Sequence, residues 1–184
     1  MQTPLISILV PFKNTESYIV ECLDSIVQQT YSHWELIIID DGSTDASYQL
    51  VQNYANSDAR IHLLSNTGNG IIEALRTGYK LAKGTFVTRM DSDDVMALNK
   101  LEQMQQSLVT RGKGHLALGN VQYFSKTGVG KGYKRYEDWL NRLTSKGNNF
   151  NEIYKECVIP SPCWMVYKTD FDHCGGFSLD IYPE

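Results

Sequence analysis

Asp91-Ser92-Asp93-Asp94 places three carboxylates within four residues. Carboxylates this close repel one another, and burying them without partners is costly. A solvated loop, a nearby base or a divalent cation relieves that repulsion. Mg2+ and Mn2+ take one or two protein carboxylates and leave other positions for phosphate oxygens. The same residues also suit a solvated turn or helix start, with Asp as cap and dipole partner. Two other polar clusters stand earlier in the chain, Pro11-Phe12-Lys13-Asn14 and Asp40-Asp41-Gly42-Ser43-Thr44-Asp45.

The elements that must hold these clusters are read from hydrophobic periodicity. Residues 6–10 and 34–39 are apolar runs, interrupted only by Ser7 in the first and Glu35 in the second, as expected of strands buried on both faces. A shorter strand is predicted at 61–64, and a fourth over 85–90 leads into the acidic cluster. Helices are predicted between them: one with Tyr18, Ile19, Cys22, Leu23, Ile26 and Val27 on its apolar face, one through about Tyr54, and one over 71–83 stopped by Gly84. Asn14 or Thr15 is the expected cap of the first, Ser43 or Thr44 of the second. A helix over 98–109, with Leu98, Leu101, Met104 and Leu108 facing inward, precedes a fifth strand at 115–121. The pattern β-α-β-α-β-α-β-α-β predicts a mainly parallel, doubly wound α/β sheet flanked by helices. Such sheets bind ligands beyond the carboxyl ends of their strands. All three polar clusters fall at those ends and would converge on one cleft.

After Gly128 the pattern loosens. Gly128, Gly130 and Gly132, mixed with Lys131, Lys134 and Arg135, read as a mobile loop, followed by a short helix over 136–143 and a strand over 163–167. Gly175-Gly176-Phe177 reads as a turn.

The 184 residues amount to one domain, or most of one. A net charge of −4 gives no reason to expect nucleic acid as a partner. No apolar run is long enough to span a bilayer, and the N-terminus lacks the pattern of a signal peptide. Cys22, Cys157, Cys163 and Cys174 have no zinc-like spacing and read as free thiols of a reducing cytoplasm. Gly68-Asn69-Gly70 begins like a dinucleotide fingerprint, but Glu73 occupies the third glycine position. An EF-hand at Asp91 fails because Val95 and Met96 stand where a ligand and the turn glycine are required. His33, His62, His115 and His173 are scattered, and no Gly-x-Ser-x-Gly elbow is present. Two rivals stay open: a phosphohydrolase with Asp91 as nucleophile, and a binding module without catalysis.

Three stretches together are similar to the family 2 glycosyltransferases of the GT-A fold. They are Ser7-Ile8-Leu9-Val10-Pro11-Phe12-Lys13-Asn14, Glu35-Leu36-Ile37-Ile38-Ile39-Asp40-Asp41-Gly42-Ser43-Thr44-Asp45 and Arg89-Met90-Asp91-Ser92-Asp93-Asp94. Ala74-Leu75 with Gly78, Ala82-Lys83-Gly84 and Gly175-Gly176-Phe177 extend the resemblance in the family's order. It implies a Rossmann-like nucleotide-sugar-binding part over 1–122 and a smaller mixed acceptor-side part over 123–184. It also implies a nucleotide-sugar donor, most often a UDP-sugar, inversion at the anomeric carbon, and a glycan or lipid-linked glycan acceptor in surface-glycan biosynthesis. The expected setting is the cytoplasm, with attachment to the inner face of the cell membrane and the oligomeric state both open.

By position, Pro11, Phe12, Asn14 and Asn66 would lie beside the nucleotide. Asp41 would hydrogen-bond uracil, with Asp40 supporting its turn. Asp91 and Ser92 would meet the ribose or the metal shell, Asp93 would be the principal ligand of Mn2+ or Mg2+, and Asp94 would orient the loop or donor sugar. Gly68 stands where the family carries Asn, with Asn66 and Asn69 to either side. The family's base is the Asp of a Glu-Asp pair. The chain reaches Glu184 and stops, which implies truncation just before the base and leaves Glu184 as the acid–base candidate.

Overall fold

The computed structural model describes residues 3–178. In chain order it contains β1 (Ile6–Phe12), α1 (Ile19–Val27), β2 (Trp34–Asp40), α2 (Ser47–Ser57), β3 (Ile61–Ser65), α3 (Ile71–Tyr79) and β4 (Phe86–Arg89). There follow α4 (Lys100–Arg111), β5 (Leu116–Leu118), α5 (Lys131–Lys146), a 3-10 turn at Asn149–Glu152, β6 (Trp164–Tyr167) and α6 (Lys168–His173). The strands form one sheet in the order 3-2-1-4-6-5. β3, β2, β1 and β4 run parallel, and β6 lies antiparallel between β4 and β5. The mainly parallel sheet flanked by helices is thus present, with one strand inserted that local periodicity does not place.

Both faces of the sheet are covered, as the continuous apolar strands require. Ile6, Ile8, Val10 and Phe12 pack with Leu23, Ile26, Leu101 and Met104 on one face. Leu9, Ile37 and Ile39 pack with Ala74 and Leu75 on the other. Gly78 brings α3 close to the sheet, since a Cβ there would lie 2.5 Å from Ile39 Cδ1. Glu35, the one polar residue in the β2 run, is buried and accepts the Ser7 hydroxyl at 2.6 Å and the Lys83 N–H at 2.7 Å. Gly84 N–H in turn donates to Ser7 Oγ at 2.8 Å. This clamp ties β1, β2 and the approach to β4 together at the edge of the sheet opposite the polar clusters.

Several boundaries differ from expectation. Pro11 continues β1 rather than ending it. Leu9 O accepts Met90 N–H from the β4 side, and Phe12 O accepts Asp41 N–H from the β2 side. Pro11 therefore faces the β4 side beyond Arg89, where that ladder has ended, and its missing N–H costs no ladder bond. α3 ends at Tyr79, not Lys83, and the backbone turns before Gly84. Leu98 precedes α4 and is exposed, whereas Leu101, Met104 and Leu108 are buried as expected. β5 spans only Leu116–Leu118. The stretch read as a loop from Gly128 to Arg135 contains the first turn of α5, which is longer than the helix expected.

Candidate functional site

The neighbours β2, β1 and β4 deliver the polar clusters to one edge of the sheet. The loops after β1 and β2 are laced together. Asn14 takes a left-handed conformation at φ 53°, which Asn tolerates better than most residues. Its Oδ1 accepts Thr44 N–H at 2.7 Å, and its own N–H donates to Ser43 Oγ at 3.1 Å. Thr15 N–H donates to Ser47 Oγ at 2.7 Å. Neither Asn14 nor Thr15 caps α1, and neither Ser43 nor Thr44 caps α2. At the start of α2, Asp45 and Glu16 take the backbone N–H groups of Ser47 and Ala46. Asn14, Ser43 and Thr44 turn their side chains to cross-loop bonds instead, while the Thr15 hydroxyl is buried without a hydrogen-bond partner among the described residues.

Asp40 is buried, and its Oδ1 accepts Ser43 N–H at 2.9 Å, closing the turn after β2. Asp41 faces the turn before α3. Its Oδ1 accepts the Asn66 side-chain amide at 2.5 Å and Gly70 N–H at 3.0 Å, while Lys13 Nζ lies 3.9 Å from Oδ2. Asn66 Oδ1 accepts Gly68 N–H at 3.0 Å, so its side chain spans the turn. The structure therefore joins Asp41 and Asn66 directly, a pairing that their sequence separation conceals.

In the acidic cluster each carboxylate has a different environment. Arg89 Nε and Nη2 donate to Asp91 Oδ1 at 3.1 and 2.6 Å. Ser92 is buried. Asp93 is exposed and makes no hydrogen bond or ion pair among the described residues. Asp94 is half-buried, and burial together with the charges of Asp91 and Asp93 pushes its carboxyl up to about 6. Burial, with the same three carboxylates adding to it, pushes the Cys22 thiol up to about 12, so Cys22 stays a protonated core side chain.

Among the described residues, no trio of His, Cys, Asp and Glu is arranged to hold a metal ion on protein atoms alone. The donors present still fit a hard divalent cation that shares its shell with a diphosphate. Asp93 is free, and Asp91 keeps Oδ2 clear of Arg89.

Two cations of the site carry only a faint signal in the sequence. Arg89 stands two residues before Asp91, close enough to fold back onto it. Lys100 opens α4, an end where cations are disfavoured, and that unfavourable placement is the available signal. The Lys100 ammonium donates to Pro162 O and faces Asp94 and Asp91, and burial lowers its pKa. It lines a cavity of about 1210 Å3 that begins at Asp91 and Asp94 and extends past Tyr123, Glu137 and Asn141 to Pro162. Pro11, Asp40 and Asp41 lie outside that cavity. Asp91 and Asp94 thus line a space bounded by α4, α5 and the segment before β6, while the β1 and β2 loops lie outside it. Glu184 lies outside the described residues.

A sequence profile described as "Glycosyl transferase family 2" matches residues 7–175. The chain belongs to glycosyl transferase family 2. Among curated relatives of this family 2 chain, the Escherichia coli UDP-Glc:alpha-D-GlcNAc-diphosphoundecaprenol beta-1,3-glucosyltransferase WfgD is 36% identical over 130 residues, covering 70% of this chain and 50% of WfgD. Among solved structures, S. aureus TarS 1-349 in complex with UDP-GlcNAc superimposes with a TM-score of 0.61 at 28% identity, over 68% of this chain and 37% of TarS. The Pyrobaculum calidifontis mannosyltransferase PcManGT, in complex with GDP-Man and Mn2+, shares the fold with a TM-score of 0.66 at 19% identity, over 95% of this chain and 48% of its own. The family 2 chain therefore has the GT-A fold. It spans between 17% and 50% of the length of the first curated relatives. No helix among its described residues is long and apolar enough to cross a membrane.

Proposed function

We propose that this domain transfers a sugar from a nucleotide-sugar, a UDP-sugar, to a hydroxyl of a glycan or lipid-linked glycan, with inversion at the anomeric carbon. The observation that carries this reading is the convergence of the Asn14, Asp40-Asp41 and Asp91–Asp94 clusters at the carboxyl ends of three adjacent strands. That is where an open α/β sheet binds a nucleotide. The names of two relatives, a UDP-Glc-dependent glucosyltransferase and a protein bound to UDP-GlcNAc, support the choice of donor.

In this mechanism the Asp41 turn, fixed by Asn66 and Gly70, receives the uracil, and the Asn14 loop bounds its other side. Pro11 and Phe12, expected beside the nucleotide, are instead buried, Phe12 in the core, and support that loop from beneath. Asp93 and Asp91 are the groups that would hold Mn2+ or Mg2+. When bound, the ion neutralises charge building on the diphosphate. Arg89 keeps Asp91 oriented, and Asp94 faces the cavity in which the acceptor hydroxyl approaches. The acceptor oxygen bonds to the anomeric carbon from the face opposite the diphosphate. The bond from that carbon to the phosphate oxygen breaks, UDP leaves with the electron pair, and the hydroxyl proton passes to a carboxylate, for which Glu184 is the candidate.

Titration calorimetry of UDP, with Mn2+ and with chelator, tests the assignment. Binding that needs metal and is lost in Asp93→Ala is the expected result. Affinity indifferent to both would overturn the donor site.

A further inference from the structure

The acceptor side carries a chain of aromatic rings that the transfer chemistry itself does not require. Tyr123 lines the large cavity beside Asp94. Its ring centroid lies 5.4 Å from Tyr133 and 6.4 Å from Tyr136. Tyr136 stacks on Trp139 at 5.5 Å with the planes 29° apart. Tyr136 and Trp139 face a shallow, largely open groove lined also by Gly132, Arg135 and Glu156.

Two of the four rings, Tyr123 and Tyr136, are anchored by hydrogen bonds. Tyr123 N–H donates to Glu137 Oε2 at 2.7 Å, and the Tyr136 hydroxyl donates to Cys157 O at 2.9 Å. The Asn141 side chain pairs with both Val121 N–H and Val121 O, each at 2.8 Å. The segment bearing Tyr123 is thereby strapped to α5. Preorganised rings cost little entropy when a ligand binds. These rings are partly accessible rather than sealed in a core, and Tyr133 is 65% exposed.

We infer that the rings Trp139, Tyr136, Tyr123 and Tyr133 form an extended subsite for an oligosaccharide, leading from the open groove to the cavity at Asp94. Pyranose rings present flat faces of C–H bonds that stack on aromatic faces, while their edges present hydroxyls. Arg135 and Glu156 stand at the groove as donor and acceptor for such hydroxyls. The surface at Gly132 is open, since a Cβ built there would meet no atom within 4 Å. A membrane lipid tail would not use this alternation of ring faces and charged edges, and an isolated monosaccharide would cover only part of it. The inference rests on the proposed acceptor side and specifies its class: a chain of several sugars, gripped beyond the residue that reacts.

The test uses neutral hexasaccharides, namely β-1,3-glucan, β-1,4-linked N-acetylglucosamine and α-mannan oligomers, each against its monosaccharide. Binding is followed by saturation-transfer NMR, and UDP with Mn2+ is titrated in parallel. At least one hexasaccharide should bind about tenfold or more tightly than its monosaccharide. Trp139→Leu should abolish that preference, and Tyr136→Phe, which keeps the ring, should retain it. UDP affinity should be unchanged in both variants, so failure of the track is separable from failure of the donor site. No hexasaccharide binding, equal binding of chain and monosaccharide, or a preference untouched by Trp139→Leu would each overturn the subsite. If Trp139→Leu fails to fold, hydroxyl-radical footprinting of the unaltered protein decides the matter. Bound hexasaccharide should then protect Trp139 and Tyr136, and absence of that protection overturns the subsite.

Discussion

The Asn66 side-chain amide donates to Asp41 Oδ1 at 2.5 Å, so the carboxylate at the end of β2 is held by the turn that opens α3. Gly70 N–H reinforces the same oxygen at 3.0 Å. Asn66→Ala leaves Asp41 its backbone partner but frees it to rotate. UDP affinity should fall about tenfold, with a stability cost of about 1 kcal/mol. Calorimetry and urea unfolding measure the two separately. Unchanged UDP affinity would show that Asp41 needs no such support.

Asp93 and metal removal should act on one interaction. With Mn2+ present, Asp93→Asn should lower UDP affinity about tenfold or more, and chelation alone should do the same. Combining them should give no further loss, because groups that act together are not additive. Additive losses would place the metal elsewhere.

The Glu35 clamp predicts a purely structural phenotype. Glu35→Ala leaves the Ser7 hydroxyl proton and the Lys83 N–H without their shared acceptor, Ser7 Oγ keeping only the Gly84 N–H, and should cost about 2 kcal/mol, read as a lower midpoint in urea. UDP binding under native conditions should stay as it was, since the clamp sits at the opposite edge of the sheet. Gly84→Ala should behave similarly, because a Cβ there would lie 2.6 Å from Ser7 N.

Tyr79 and Asp172 give a pH signature. The Tyr79 hydroxyl donates to Asp172 Oδ1 at 2.5 Å, tying α3 to α6. Tyr79 and Lys168 hold the Asp172 carboxyl below its usual range. Burial and then this bond raise the Tyr79 phenol above its usual value. The Asp172 contribution is full above about pH 4 and is lost as pH falls through its lowered folded value. The Tyr79 contribution is full below about pH 10 and is lost as pH rises through its raised folded value. Asp172 is 49% exposed, so solvent keeps the effect below about 1 kcal/mol. The Tm difference between wild type and Tyr79→Phe should therefore narrow toward both extremes of pH. A constant difference would refute the coupling.

The sheet's central strands and the cluster positions are readable in the sequence because they depend on local facts. Continuous apolar runs mark strands buried on both faces, and their carboxyl ends follow from chain direction. β6 is visible there only as an isolated strand, because its insertion between β4 and β5 is a nonlocal pairing that no local window records. The start of α5 is hidden by Gly130 and Gly132. A glycine within a helix costs only about 1 kcal/mol, and burial of Leu140 and the straps to Val121 and Tyr123 offset it. The expected caps at Asn14 and Ser43 fail because a side chain able to cap its own helix can equally bond a neighbouring loop. Asp41 and Asn66 each stand out in the sequence, but nothing in their spacing shows that one restrains the other.

The insertion of β6 has a consequence for how such a domain can diversify. The chain leaves the sheet after Leu118 and returns at Trp164, its pairing partner. Gly119 N–H donates to Cys163 O at 2.8 Å, so the excursion is stapled shut at its own root. Everything between, including α5 and its aromatic rings, is a cassette mounted on a fixed frame. Grafting between Gly119 and Cys163 should therefore change its length and contents while the strand register stays, provided Pro162 O is kept as the partner of Lys100 beside the acidic cluster.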